Sequence, residues 1–185
     1  MIVALPFPAT FSDLMKVEGK AELIGGRIVE SMASGRKPNR VAGRIYIALC
    51  NHATDTATGE AFTDNMGFAV DPPLSSGRQS FSPDTAFHAG PFPPNDMAFI
   101  DCAPTFAVEV RSENDYGRSA ETAIADKRTD YFEAGTLAVW DVDPLGKTIT
   151  LHTPTSETTF RPGDLAHAEP ALPGWTLDVA ALFGN

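Results

Sequence analysis

Lys127 is the residue that most restricts how this chain can fold. In the segment SAETAIADKRTDYFEAG, Ala120, Ile124, Lys127, Tyr131 and Ala134 recur at helical spacing, which puts one charged residue in the stripe that should face the interior. A lysine withdrawn from water needs a carboxylate partner or a chemical task. Carboxylates stand just upstream in two short apolar segments that read as strands, FSPDTAFH over residues 81–88 with Asp84, and residues 104–111 with Glu109. A helix bearing a lysine then follows two strands bearing acids, and that combination is the makeup of a metal-dependent phosphodiesterase site.

Size and charge narrow the function classes. At 185 residues the chain is long enough to bury a core and reads as a single domain, residues 1–185. No apolar run approaches the roughly 18 residues needed to span a bilayer, so no membrane role is expected. The opening MIVALPFPATF lacks a basic stretch and is broken by Pro6 and Pro8, which argues against a secretory leader. Cys50 and Cys102 stand among apolar neighbours without metal-site spacing, as reduced thiols of a cytoplasmic protein do. The net charge of −10, from 14 basic and 24 acidic residues, argues against a protein that coats nucleic acid by counterion release. It leaves room for a nuclease, because acids gathered around a divalent cation contribute to such a balance. The densest basic run, Arg36, Lys37, Arg40 and Arg44, reads as the solvated start of a helix.

The elements alternate in type along the chain. Residues 10–16 form a short helix capped by Thr10 or Ser12, and AELI and RIVESM form a hairpin about Gly25 and Gly26. Residues 39–53 show an amphipathic stripe of Val41, Ile45, Ala48, Leu49 and His52. One or two strands follow, then a loop from Pro72 to Ser80, the two acid-bearing strands separated by a proline-rich stretch, and the helix of residues 119–134 ending at Gly135. LAVWDV and KTITLH pair about a turn at Asp143, and the tail adds a strand near Thr158 and a helix capped by Asp178. Hairpins mixed with helix-separated strands indicate an α/β or α+β fold around one central mixed sheet flanked by helices. No glycine-rich phosphate loop follows a strand, which disfavours a doubly wound nucleotide-binding fold.

Strand alternation puts Glu109 and Arg111 on one face with Ala107, and Phe106, Val108 and Val110 on the other. If the two acid-bearing strands are neighbours, Asp84 and Glu109 approach each other. Two hard oxygen donors suit Mg²⁺ or Mn²⁺, which keep several waters and accept phosphate oxygens as further ligands. Lys127 would hold the attacking water or the phosphate, Arg111 would grip phosphate as a fork, and Glu22 could complete the cation's shell. The alternative, in which Asp84 caps a turn and Glu109 pairs with Arg111 or Lys127, stays open on these residues alone. His88 shares a strand face with Asp84, whereas His52 reads as a core or helix-end residue, and His152 and His167 have no partner at metal spacing. Without a G-x-S-x-G turn or a histidine beside either cysteine, a nucleophilic hydrolase is disfavoured.

The run PTFAVEVRSENDYGRSAETAIADKRTDYFEAGTLAVWDVDP, together with AELIGGRIVESM, SPD and PALPGWTLDVAALF, resembles the Uma family of restriction endonucleases within the PD-(D/E)XK nuclease superfamily. The resemblance covers nearly the whole chain. It implies a restriction-endonuclease-like core with an N-terminal hairpin, a divalent metal at Asp84 and Glu109, the family's early glutamate at Glu22, and its helical lysine at Lys127. Arg111 occupies the strand position that more often carries the lysine. Gly25 stands where the family usually has aspartate, and VEVRSEND replaces the usual V-E-V-x-S-P-S. The expected activity is endonucleolytic hydrolysis of nucleic acid, with DNA the expected partner and a homodimer the expected assembly. The alternative is a nuclease-fold protein that binds nucleic acid or dimerises as a scaffold without cutting.

Overall fold

Local chemistry accounts for most element boundaries in the computed structural model, which describes residues 7–184. Residues 1–6, the start of the stretch weighed as a leader, and Asn185 lie outside the described residues. Helix α1 (Phe11–Leu14) follows Thr10, whose hydroxyl donates to Asp13 Oδ2 at 2.6 Å. Strands β1 (Ala21–Ile24) and β2 (Arg27–Glu30) form the expected hairpin, with Gly25 and Gly26 at φ +56° and +70°, where a side chain would be strained. Helix α2 (Arg36–Thr56) begins earlier than the apolar stripe indicated, because Pro38 falls in its first turn, where the missing N–H breaks no helical bond.

Strands β3 (Glu60–Thr63), β4 (Phe68–Ala69), β5 (Ser80–Phe81), β6 (Thr85–His88) and β7 (Phe106–Val110) come next. The segment 81–88 is therefore not one strand. Phe81 pairs with Phe68 in a separate small hairpin, Pro83 has no amide to continue a ladder, and Asp84 stands one residue ahead of β6. Helix α3 (Arg118–Glu133) ends with Gly135 at φ +96°. Strands β8 (Ala138–Asp143), β9 (Thr148–His152) and β10 (Glu157–Phe160) follow as expected. Strands β11 (Leu165–Ala168) and β12 (Leu172–Asp178) were not anticipated, since Pro170, Pro173 and Gly174 interrupt their alternation and the pairing shifts at His167 and Ala168. Helix α4 (Val179–Phe183) closes the described chain, with Asp178 accepting from the Ala181 N–H at 3.0 Å.

Six strands form the central mixed sheet in the order β10, β9, β8, β7, β6, β3. Its one parallel pair is β7 with β8, the two strands that α3 connects, as a parallel crossover requires. One face packs Phe106, Val108, Trp140 and Ile149 against Val41, Ile45 and Leu49 of α2 and Leu172 and Trp175 of β12. On the other, Ala86, Ala107 and Val139 meet Tyr131 of α3 and Phe68 and Phe81 of the small hairpin. Tyr131 and Phe81 stack at 4.2 Å between ring centroids. Of the basic run, Arg44 donates to the carbonyls of Leu182 and Gly184 at 2.8 and 2.5 Å and so closes α4. Arg36 and Arg40 are exposed. Among the described residues no helix is long and apolar enough to cross a membrane.

Gly59 sets how closely β3 approaches β6. A Cβ there would lie 2.3 Å from the His88 carbonyl oxygen and 2.7 Å from the Phe87 ring, so backbone would have to move. Gly59→Ala is expected to destabilise the protein by about 1–3 kcal/mol in urea unfolding, and an unchanged midpoint would contradict this packing.

Candidate functional site

A line of carboxylates runs from Asp84, at the entry to β6, across β7 and β8. The Asp84 N–H donates to the Val108 carbonyl at 3.1 Å, which extends the antiparallel pairing of β6 with β7 and sets Asp84 across from Glu109. The parallel register of β7 with β8 pairs Glu109 with Asp141. Adjacent like charges repel, and each of these acids is answered by a cation from a different part of the chain. Lys20, immediately before β1, has its Nζ 2.6 Å from Asp84 Oδ1 and 2.7 Å from Asp64 Oδ1. Lys127 of α3 lies 2.8 Å from Glu109 Oε1 and 2.9 Å from Glu22 Oε1. Arg111 donates to both oxygens of Asp141 at 2.7 and 2.6 Å.

The acids are fixed by further bonds. The Val110 N–H donates to Asp84 Oδ2 at 2.7 Å, and the Tyr131 hydroxyl donates to Glu109 Oε1 at 2.6 Å. Tyr131 lies four residues beyond Lys127 on α3, so one helical face grips Glu109 twice. Glu22 on β1 is buried; it accepts the Ser82 N–H at 2.9 Å and an ion pair from Arg78, whose Nε reaches Asp130 at 2.7 Å. Asp84, Glu109, Lys127 and Glu22 are thus brought into one group, whereas Arg111 is held apart from it. Its guanidinium is taken up by Asp141 and by Glu121 in the first turn of α3, so the fork expected for phosphate instead ties that helix to the sheet.

Burial and charge oppose each other throughout. Burial raises the Glu109 carboxyl above its usual range, Asp84 and Glu22 add to that rise, and Lys127 and Lys20 only partly offset it. For Glu22, burial is overcome by Lys127 and Arg78, and the carboxyl falls to about 2. Lys127 is held fully charged: burial would lower it, but Glu109 and Glu22 win. His88 takes no part in the group. Its Nε2 lies 3.2 Å from the Pro91 carbonyl and 3.5 Å from Cys102 Sγ, and burial lowers its pKa. His52 packs beside the rings of Phe87 and Trp175.

Sequence reasoning missed Lys20, Arg78 and the bond from Tyr131. Lys20 carried a signal, since it precedes Glu22 by two residues and so shares its side of an extended segment. Arg78, in a loop, carried none.

Residues 8–180 match the Uma2 family, described as "Putative restriction endonuclease". The chain belongs to the Uma2 family. Its fold is similar to a crystal structure of a "putative nuclease belonging to DUF820" from Anabaena variabilis, with a TM-score of 0.75 at 18% identity over 95% of this chain and 98% of that one. No curated protein matches it.

In this Uma2 chain Asp84 and Glu109 offer carboxylate oxygens of the kind a divalent cation takes, and the charges around them sum to a net negative value. Asp64, Lys20 and Asp84 sum to −1, and Glu109, Lys127, Glu22, Arg78 and Asp130 also sum to −1. The two sets meet where Asp84 faces Glu109. Both bonds to Glu109 fall on Oε1, leaving Oε2 without a hydrogen bond from the described residues. No group of three or more His, Cys, Asp or Glu among the described residues is spaced to hold a metal, so a cation there would take two carboxylates and fill its shell with water or phosphate oxygens.

Two outcomes follow for this Uma2 chain. The depressed Glu22 carboxyl stabilises the fold above its ordinary value of about 4.3, and that stability is lost as pH falls towards about 2. Glu109, raised by burial, acts in the opposite sense, since its protonation on acidification favours the fold. Urea unfolding against pH should therefore fall less steeply over that window in Glu22→Gln than in wild type; parallel curves would exclude the effect. Arg111→Met should destabilise by roughly 2–4 kcal/mol, because Asp141 would be left buried without its partner. A change below about 0.5 kcal/mol would remove Arg111 from any structural role.

Proposed function

We propose that this chain is a metal-dependent endonuclease that hydrolyses phosphodiester bonds in DNA, with Asp84 and Glu109 holding Mg²⁺ or Mn²⁺. The observation that carries this reading is the facing pair of carboxylates with Lys127 bridging Glu109 and Glu22, in a chain of the Uma2 family. A divalent cation bound there supplies a water of lowered pKa and positive charge for the phosphate. Lys127 has three N–H donors, two of which point to Glu109 and Glu22, so one remains for the attacking water or a phosphate oxygen. Glu22, itself fixed by Arg78 and the Ser82 amide, keeps that ammonium in place, and Tyr131 keeps Glu109 from turning away. Arg111 contributes through α3, which it ties down at its first turn, ahead of Lys127.

DNA is favoured as substrate by the family's description as a restriction endonuclease, and a homodimer by the need to cut two strands symmetrically. The two unpaired cysteines agree with a cytoplasmic setting.

Calorimetric titration of Mn²⁺ into wild type, Asp84→Ala and Glu109→Ala, followed by cleavage assays on plasmid and single-stranded DNA, tests the reading. Binding and cutting should both vanish in the two variants, and Lys127→Ala should lower kcat by about 100-fold or more. Absence of Mn²⁺ binding by wild type would overturn the enzyme and favour a nuclease-fold scaffold.

A further inference from the structure

We infer that Lys20 is a resident counter-cation of this site, whose ammonium must give way before a divalent cation can bind at Asp84 and which thereby sets the site's metal affinity. The inference rests on the metal-binding reading above and deepens it.

Lys20 is positioned by the fold. It stands at the foot of β1, whose Leu23 N–H donates to Ser80 Oγ at 2.8 Å and which is followed by a Gly25 N–H bond to the Gly77 carbonyl at 2.8 Å. The side chain is only 16% exposed. Of the two Asp84 oxygens, Oδ2 is held by the Val110 amide, so Oδ1 is the one open to exchange, and it is the one Lys20 contacts. A small divalent ion sits about 2.0–2.1 Å from a carboxylate oxygen. An ammonium 2.6 Å from that same oxygen would lie within about 5 Å of the ion, where like charges in a half-buried pocket repel strongly.

The structure also provides somewhere for the ammonium to go. Asp64, just after β3, lies 2.7 Å from Lys20 Nζ and is half exposed, and among the described residues its ion pair is with Lys20, not with Lys127. Lys20 can therefore shift its weight to Asp64 without becoming an unpaired buried charge. Lys127 has no comparable route. Its partners are Glu109 and the buried Glu22, and Glu22 is itself locked by Arg78. The two lysines thus differ in kind: Lys127 is built in, and Lys20 is exchangeable.

The test compares wild type with Lys20→Met and Lys20→Arg, using Mn²⁺ titration by calorimetry at low salt and thermal unfolding with and without Mn²⁺. Lys20→Met should bind Mn²⁺ about tenfold or more tightly than wild type. Without Mn²⁺ it should unfold at a lower temperature than wild type, with Mn²⁺ raising its Tm by more than it raises that of wild type. Lys20→Arg, which keeps the charge, should bind no more tightly than wild type. Equal or weaker Mn²⁺ binding by Lys20→Met would overturn the inference and make Lys20 a support for Asp84. Should Lys20→Met fail to fold, Lys20→Gln is read by the same criterion. If wild type binds Mn²⁺ through Asp84 and Glu109 but Lys20→Met gains nothing, only this inference falls. If neither binds Mn²⁺, the metal reading falls with it.

Discussion

Repulsion among Asp84, Glu109 and Asp141 is the constraint on which the rest of this structure depends. Strand pairing sets the three carboxylates side by side on one face of the sheet, where they would destabilise it unless cations reached them. The cations come from separate places: Lys20 from the foot of the N-terminal hairpin, Lys127 from α3 and Arg111 from the end of β7. Docking of the hairpin and of α3 is therefore an electrostatic requirement as well as a hydrophobic one. Arg111 shows the connection most directly, since one guanidinium neutralises Asp141 and also anchors the first turn of α3 through Glu121.

The two faces of the sheet divide the work. Beneath α2, α4 and the β11 and β12 hairpin lies a continuous apolar layer built on Phe106, Trp140 and Trp175. Beneath α3 the apolar layer is smaller and gives way to the charged line. Buried ion pairs contribute little net stability when desolvation is counted, so the charged face is poorly explained by stability alone. The first face supplies rigidity, and the second can keep charges at fixed positions because the first does.

Much of this was legible in the chain. The stripe from Ala120 to Ala134 placed Lys127 inward, and strand alternation separated Glu109 from Phe106 and Val108; both rest on local periodicity, which the backbone imposes whatever the surroundings. The β11 and β12 hairpin was not legible, because its prolines and its bulge hide the alternation. Arg111 was read correctly as sharing a face with Glu109. Its partners were not foreseen, since they depend on which strand lies beside β7 and which turn of α3 passes over it.

The sequence by itself determined the regularly patterned helices and strands, the inward lysine and the acids available to it, because these follow from spacing along one chain. Tertiary structure alone decided that β6 and β7 are antiparallel neighbours, which sets Asp84 across from Glu109. It also decided that Lys20 meets a carboxylate 64 residues away and that Arg78, from an unremarkable loop, fixes Glu22. Charges pair through space at a few ångströms, and that distance is set by register and docking between segments that local periodicity does not relate.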